Sequence, residues 1–427
     1  MNSPFPFSPT SYSPTAHSSS AQSTLFDVAV VGRGSIGAAA ALMAEQAGLS
    51  VVWLGREPAT LVPSNAGWDA RVYALSVAAR AVLAELRVWD ALERSRIAPV
   101  YDMRIYPAGV NPVELHFGAY EGNTEALAWI VEGSNLNSGL RRAIDFSRVR
   151  LIAANLQALE PASDGATGER LGSPSSLLLD DGTRLQARLV IGADGADSVT
   201  RSLAGLSCNA QDYPQTAVVA NFAISRPHAD CALQWFGDHG VLALLPLPGQ
   251  QCSMVWSAPH ALAAELLSLD AQTLSARVQL TCGGALGDLQ ALGAAASFVL
   301  RRIDVPQMVT NRIALVGDAA HVIHPLAGQG MNLGFADIQA LGKVLRSRES
   351  FRDPGDRLLL RRYERSRKEA VRAMTLATDG LQRIFDGQEL ARLGPLAKPV
   401  TLGRDIGWSL VARSSWLKRQ LMGLAAT

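Results

Sequence analysis

The chain has 427 residues, of which 48% are hydrophobic and 18% charged, enough apolar material for a large core and about two to three structural units. Lys and Arg number 39 against 38 Asp and Glu, giving a net charge of +1, and no basic run is interleaved with aromatics, which argues against nucleic acid as a partner. The cysteines, Cys208, Cys231, Cys252 and Cys282, are widely spaced, which suits a reducing compartment and argues against a disulfide framework or a structural zinc site.

Residues 1–24 are rich in Ser and Pro without a regular apolar period and read as a disordered tail. They lack the basic start and apolar core of a secretory signal, and the first basic residue, Arg33, comes too late for a transit peptide. No apolar run reaches the roughly eighteen residues of a membrane span. The fold proper opens with an apolar strand, Leu25 to Val31, followed by Gly32-Arg33-Gly34-Ser35-Ile36-Gly37, an alanine-rich helix to about Ala47, and a second strand from Ser50 to Leu54. Strand, G-x-G-x-x-G, helix, strand is the context a dinucleotide-binding unit requires. Gly32 permits the tight turn, Gly34 lets a pyrophosphate approach the backbone, and Gly37 lets helix and strand pack closely. The acidic residue expected at the end of the second strand is replaced by Gly55. Glu57, two residues on, could substitute for it, or could be a solvated surface residue beside Arg56.

Asp69 to Ser76 is predicted to open an amphipathic helix carrying Val82, Leu83, Leu86 and Trp89. Within it, Arg71 could contact a phosphate through its planar fork, or pair with Asp69 at a helix start. Short strands at Met103 to Tyr106 and Val113 to Phe117 mark a separate antiparallel layer, and Trp129 to Leu140 reads as a loop leading into a helix. Leu177 to Gln186 reads as a hairpin turning at Asp181-Gly182. A buried strand, Leu189 to Ile191, then ends in Gly192-Ala193-Asp194-Gly195, with Arg201 just beyond. Residues 214–258 are strand-like and 260–297 alanine- and leucine-rich and helical. The apolar run Ile313 to Val316 ends in Gly317-Asp318, and a helix is expected from Met331. Strand ends of this kind are where open α/β sheets bind ligands. His321 and His324 lie three apart, but Pro325 interrupts the helix and no further ligand cluster is evident, so no metal site is expected. Ile406 to Met422 is basic, amphipathic and Trp-containing, and either lies on a membrane surface or packs on the body.

Together, the segments at Gly32, at Asp194-Gly195 with Arg201, and at Gly317-Asp318 resemble those of the class A flavoprotein monooxygenases. Further residues resemble the ubiquinone-biosynthesis hydroxylase family within that class: Asp69 to Ser76, Ala243 to Leu247, Val255-Trp256-Ser257, Asp318 to His321, His324 to Asn332 and Leu417 to Met422. The resemblance covers nearly everything from Leu25 onward, Gly55 being the departure. It implies an α/β fold: a Rossmann-like FAD-binding domain made of 25–100, 125–204 and 298–375, with an inserted, mainly antiparallel-sheet substrate domain (101–124 and 205–297) and a C-terminal helical segment (376–427). FAD is the implied cofactor and NAD(P)H the electron donor, and a flavin hydroperoxide from reduced FAD and O2 would hydroxylate the ring of a polyprenylated phenol.

By the same resemblance Asp318 bonds the ribityl chain. Gly328, Gln329 and Gly330, followed by Met331 and Asn332, face the flavin ring, and His324 and Pro325 sit near the reacting ring as the catalytic candidates. Asp194, Gly195 and Arg201 support the FAD and nicotinamide region. Phe222, Trp235 and Phe236 fit either an apolar substrate pocket in the second layer or ordinary core packing. The prenyl tail implies a cytoplasmic protein peripheral to the inner face of the bacterial membrane, in contact through the C-terminal segment, with a ubiquinone-biosynthesis complex as partner. Competing readings are a monooxygenase of a small soluble phenol, a plain NAD-dependent dehydrogenase with only the first motif functional, and a non-catalytic FAD-bound accessory protein.

Overall fold

The computed structural model describes residues 24–56, 67–107, 114–160, 173–323 and 329–385. The opening strand Thr24–Val31 runs parallel to Arg184–Gly192 on one side and Val51–Leu54 on the other. Ile313–Leu315 and Arg150–Ile152 continue the parallel order outward. Val309–Thr310 adds an antiparallel edge, while Ser175–Leu179 and Leu156–Glu160 fold back antiparallel from the start of Arg184–Gly192. A parallel sheet has to be covered on both faces, which is why Val28 to Val31 and Leu189 to Ile191 read as unbroken apolar runs and are buried throughout. Helices Ser35–Gln46, Gly133–Asp145, Gln329–Arg346 and Arg357–Phe385 share the core on one face, and Leu177, Leu179 and Leu185 pack beneath the other.

Among the described residues the second sheet has nine strands. Its central order is His321–Val322, Ala296–Asp304, Asn209–Ile224, Gln251–Pro259, Gly240–Leu247, Cys231–Gly237, Asp102–Tyr106 and Leu115–Gly118, with Leu289–Ala291 paired beside Asn209–Ile224. Strand residues alternate between faces. Val218, Ala220 and Phe222 therefore point with Met254 and Trp256 into a core under the helices His260–Ser268 and Ala271–Thr281. A three-stranded sheet, Val72–Leu75, Ala128–Glu132 and Ile97–Val100, stands between the two larger ones, its residues packing against Leu245 and Leu247 of the second sheet. No described helix is long and apolar enough to cross a membrane.

Four local expectations change. Val72–Leu75 is a strand, and the helix Val77–Glu85 begins only after Ser76, whose hydroxyl accepts the Ala79 amide. Trp129 lies in a strand rather than a loop, because Ala128–Glu132 is the central partner of the small sheet. Arg184–Gly192 is one continuous strand. The helical character of 260–297 stops at Thr281, and Leu289–Ala291 and Ala296–Asp304 join the second sheet. In each case an unsatisfied strand edge supplied by distant sequence outweighed local composition. Phe335, fully buried in the helical core, gives a direct check: Phe335→Ala should cost about 3–5 kcal/mol, read as a fall in the thermal unfolding midpoint.

Candidate active site

Three segments converge outside the carboxyl ends of the parallel strands, the position where open α/β sheets bind ligands. The first is the glycine turn. Gly32 has φ of +117°, and a Cβ there would come within 2.2 Å of the Ala193 carbonyl oxygen; a Cβ at Gly37 would lie 2.0 Å from the Gly32 carbonyl oxygen. That carbonyl accepts a 2.7 Å hydrogen bond from Trp53 Nε1, which fixes the turn to the second strand. At Gly34, by contrast, no heavy atom lies within 4 Å of a Cβ position, and no side chain caps the twelve-residue helix that begins at Ser35. Its first amides are thus open to an acceptor, an arrangement suited to the pyrophosphate of a dinucleotide.

The expected acid at the end of the second strand is replaced by a cation. Gly55, at φ +134°, passes directly under the Arg33 side chain, whose guanidinium lies 4.3 Å from the centre of the Trp53 ring and 3.5 Å from the Gly55 carbonyl oxygen. Burial, and then the Arg141 guanidinium, hold the Arg33 pKa below its ordinary value. Glu57 lies outside the described residues.

The second segment follows Gly192. The Asp194 carboxylate accepts from Ser198 Oγ at 2.5 Å, Thr200 N at 2.8 Å and Thr200 Oγ1 at 2.9 Å, so its acceptor capacity is turned toward the short helix Val199–Leu203. Gly195, at φ +81°, makes the turn between them. Arg201 is buried and donates to the carbonyl of Ala196 at 2.8 Å and to that of Ala319 at 3.0 Å. It therefore ties this segment to the third.

In the third segment Gly317, at φ +58°, turns the chain, and Asp318 stands exposed between buried Gly317 and Ala319. Solvent reaches the Asp318 carboxylate on one side while protein crowds the others. That crowding raises its pKa, against the pull of His321 and Arg71, and the open side is the one available to a ligand hydroxyl. Beneath it lies a buried carboxylate, Asp337. It accepts the Gly317 amide at 2.9 Å, His321 Nε2 at 2.7 Å and Arg367 Nε at 2.7 Å. Burial alone would raise the Asp337 pKa, but His321 and Arg367 outweigh it and hold it below the carboxylate range. Burial would likewise lower that of His321, but Asp337 reverses the sign and raises it. Tyr363 adds a hydrogen bond to the Leu315 carbonyl at 2.8 Å.

The Arg71 loop faces the same region. Asp69 accepts the amides of Arg71 and Ser134, each at 2.9 Å, and so joins the loop to the start of the helix Gly133–Asp145. The Arg71 guanidinium lies 4.8 Å from the Phe298 ring centre and feels Asp318 electrostatically. From the second sheet, Asn221 Nδ2 donates to the Asp69 carbonyl at 3.0 Å. Asn332 accepts the Ser76 amide at 3.0 Å and donates to the Ala74 carbonyl at 3.0 Å, locking the start of the helix Gln329–Arg346 to Val72–Leu75; it also donates to Gln329 Oε1 at 3.1 Å. Met331 packs on the core, and Gly330 has open space around its Cβ position.

Gly328, His324 and Pro325 lie outside the described residues. Phe222 is not a pocket candidate: it is fully buried under the helices His260–Ser268 and Ala271–Thr281, because even-numbered residues of its strand face that core. Trp235 stacks on Tyr106 with ring centres 5.3 Å apart, and Phe236 clusters with Val241 and Ile105. Sequence reading missed Asp337, Arg367, Tyr363 and Asn221. A signal existed for the pair: an acid among Phe335, Ile338 and Leu341 on one apolar helix face, and a base among Leu360, Tyr363 and Val371 on another.

Two measurements test this geometry. Gly37→Ala should displace the turn and yield protein that has lost most of its flavin absorbance on purification. The charge cluster sets a pH dependence. The raised His321 pKa contributes stability that is complete below the unfolded value of about 6.5 and lost as pH rises through the folded value. The lowered Asp337 pKa contributes above the unfolded value of about 4 and is lost on acidification through the folded one. The melting-temperature gap between wild type and His321→Gln should therefore be widest between about pH 4 and 6.5 and shrink as pH rises above that window.

Residues 153–378 match a family model described as an FAD binding domain. The chain is 36% identical over 398 residues to the ubiquinone hydroxylase UbiL of Rhodospirillum rubrum, covering 93% of this chain and 88% of that protein. It is 32% identical over 403 residues to the 3-demethoxyubiquinol 3-hydroxylase of Escherichia coli, covering 93% and 98%. Its fold is similar to that of Klebsiella pneumoniae HpxO complexed with FAD and uric acid, at 18% identity and a TM-score of 0.63, covering 91% of this chain and 97% of that one. With the glycine turn, the exposed Asp318 and the family model in agreement, the chain belongs to the FAD-dependent monooxygenases of class A, in the family of the ubiquinone-biosynthesis hydroxylases.

Proposed function

We propose that this protein hydroxylates the aromatic ring of a polyprenylated phenol in ubiquinone biosynthesis, using O2 and electrons from NAD(P)H. The observation that carries this reading is the 36% identity, over 93% of the chain, to a ubiquinone hydroxylase. FAD, when bound, supplies oxygen activation and transfer, and the protein supplies binding, orientation and electrostatics. The open amides after Gly34 hold the pyrophosphate. Asp318 accepts hydrogen bonds from the ribityl hydroxyls, Arg71 offers its planar fork to the cofactor, and Asp194, Gly195 and Arg201 act by holding the Ala193–Ala196 turn against Ala319. Gln329 and Gly330 begin an eighteen-residue helix, whose N-terminal partial charge favours electron density on the reduced ring. His324 and Pro325 are assigned beside the reacting ring through the family resemblance.

In this reading residues 25–100, 125–204 and 298–375 form the FAD-binding domain, and 101–124 and 205–297 form the substrate domain. The protein works in the cytoplasm at the membrane surface, with the 376–427 segment and a ubiquinone-biosynthesis complex as its contacts.

Asp318→Ala should weaken FAD retention roughly 10- to 100-fold, the worth of about 1–3 kcal/mol in hydrogen bonds, and abolish hydroxylation. A lipid extract from cells lacking the protein should accumulate one under-hydroxylated prenylphenol, which also identifies the ring carbon. An unchanged quinone profile in those cells would move the assignment to a soluble phenol. Normal ubiquinone with flavin-free Asp318→Ala would make the protein a non-catalytic accessory.

A further inference from the structure

The helix Arg357–Phe385 carries an uncompensated charge pattern that the FAD site does not use. Its inner face is spent: Leu359, Leu360, Tyr363 and Val371 are in or against the core, and Arg367 is committed to Asp337. Arg357, Arg361, Arg365, Lys368 and Arg372 recur at intervals of four, four, three and four residues. At 3.6 residues per turn they fall within an arc of about 80° and along about 22 Å of helix. Arg357, Arg361, Arg365 and Arg372 are exposed and Lys368 is half-buried, and among the described residues none of the five is ion-paired.

The cations nearby behave differently. Arg352 and Arg362 are both neutralised by Glu349, and Arg352 also by Asp356. Among the described side chains of this helix, two acids lie near the stripe. Glu364 is turned inward to accept the Met308 amide at 2.8 Å, and Glu369 is exposed at its margin. Arg357, Arg361, Glu364 and Lys368 also line a cleft of about 260 Å³ against Pro306, Gln307 and Val309. At the stripe's border, on the helix surface, Leu358 and Leu376 are 64% and 73% exposed.

We infer that this face is the docking surface for an anionic lipid bilayer, with the cleft at Arg357, Arg361 and Lys368 taking a headgroup phosphate. Charge complementarity selects the occupant. A single small phosphate would engage the cleft and leave Arg365 and Arg372 without a counter-charge, whereas a plane of phosphodiesters meets all five cations at once, and the two exposed leucines suit its interface. Interactions between exposed charges at this surface are screened over about 10 Å at 0.1 M salt, so the contact is reversible and ionic-strength dependent. A prenylated substrate resides in a bilayer, so docking here serves the proposed reaction, but it rests on the charges of this helix alone.

The test uses the flavin-loaded full-length protein and vesicles without substrate, so that its failure leaves the hydroxylase reading standing. Co-sedimentation should be strong with phosphatidylglycerol vesicles, weak with phosphatidylcholine vesicles, and lost in high salt. The triple variant R357Q, R361Q and K368Q should lower partitioning on the order of 100-fold, since each cation near an acidic surface contributes about fivefold. It should keep its flavin absorbance and unfolding midpoint. A charge-matched control, R94Q, R148Q and R184Q, should bind as wild type does. Equal binding by the triple variant, equal loss in the control, or wild-type indifference to phosphatidylglycerol would each overturn the inference. So would stabilisation by millimolar inorganic phosphate without vesicle binding, which would make the cleft a site for a soluble anion.

Discussion

The Asp337 carboxylate is the constraint on which the site depends. It is fully buried, and its lone pairs are taken by the Gly317 amide, by His321 and by Arg367. Each partner belongs to a different piece of the architecture. Gly317 is the turn after the last parallel strand, His321 opens the strand that pairs with the end of Ala296–Asp304 in the second sheet, and Arg367 comes from the long terminal helix. A buried charge of this kind is tolerated only when its partners are complete, and removing one costs about 3–5 kcal/mol. The same arrangement turns Gly317-Asp318 outward, so that the exposed carboxylate rests on a satisfied one.

Around that anchor the three converging segments are fastened to one another rather than merely adjacent. Gly32 touches the Ala193 carbonyl, Arg201 reaches from the second segment to the Ala319 carbonyl of the third, and Asn332 locks the start of its helix to Val72–Leu75. Asp194 and Arg201 thus act by shaping backbone. Among the described residues of these segments, the amides after Gly34 and the carboxylate of Asp318 are left open to a ligand. At the end of the second strand Gly55 stands where an acid is expected, and Arg33 lies across Trp53 beside it.

Much of the site was legible in the primary structure because its determinants are local. A G-x-G-x-x-G between an apolar run and an alanine-rich helix can do little else, and Gly317-Asp318 stands at the end of a second apolar run. What was misread is non-local. Val72-Tyr73-Ala74-Leu75 suits a helix as well as a strand, and only the edge offered by Ala128–Glu132 decided it. Phe222 suits a pocket as well as a core in sequence, and register, which assigns each strand residue to a face and is set by the partner strand, decides for the core.

The sequence by itself therefore determined the dinucleotide-binding unit, the α/β class and the family, since periodicity, glycine spacing and motif order are properties of contiguous residues. Only the tertiary structure decided which polar groups are spent and which are available. Asp194, Asp318 and Asp337 look alike in a sequence; one holds a turn, one faces solvent, and one is buried under three donors. That distinction comes from what surrounds each carboxylate, and its neighbours are supplied by distant segments, Arg367 for Asp337 and Arg71 for Asp318.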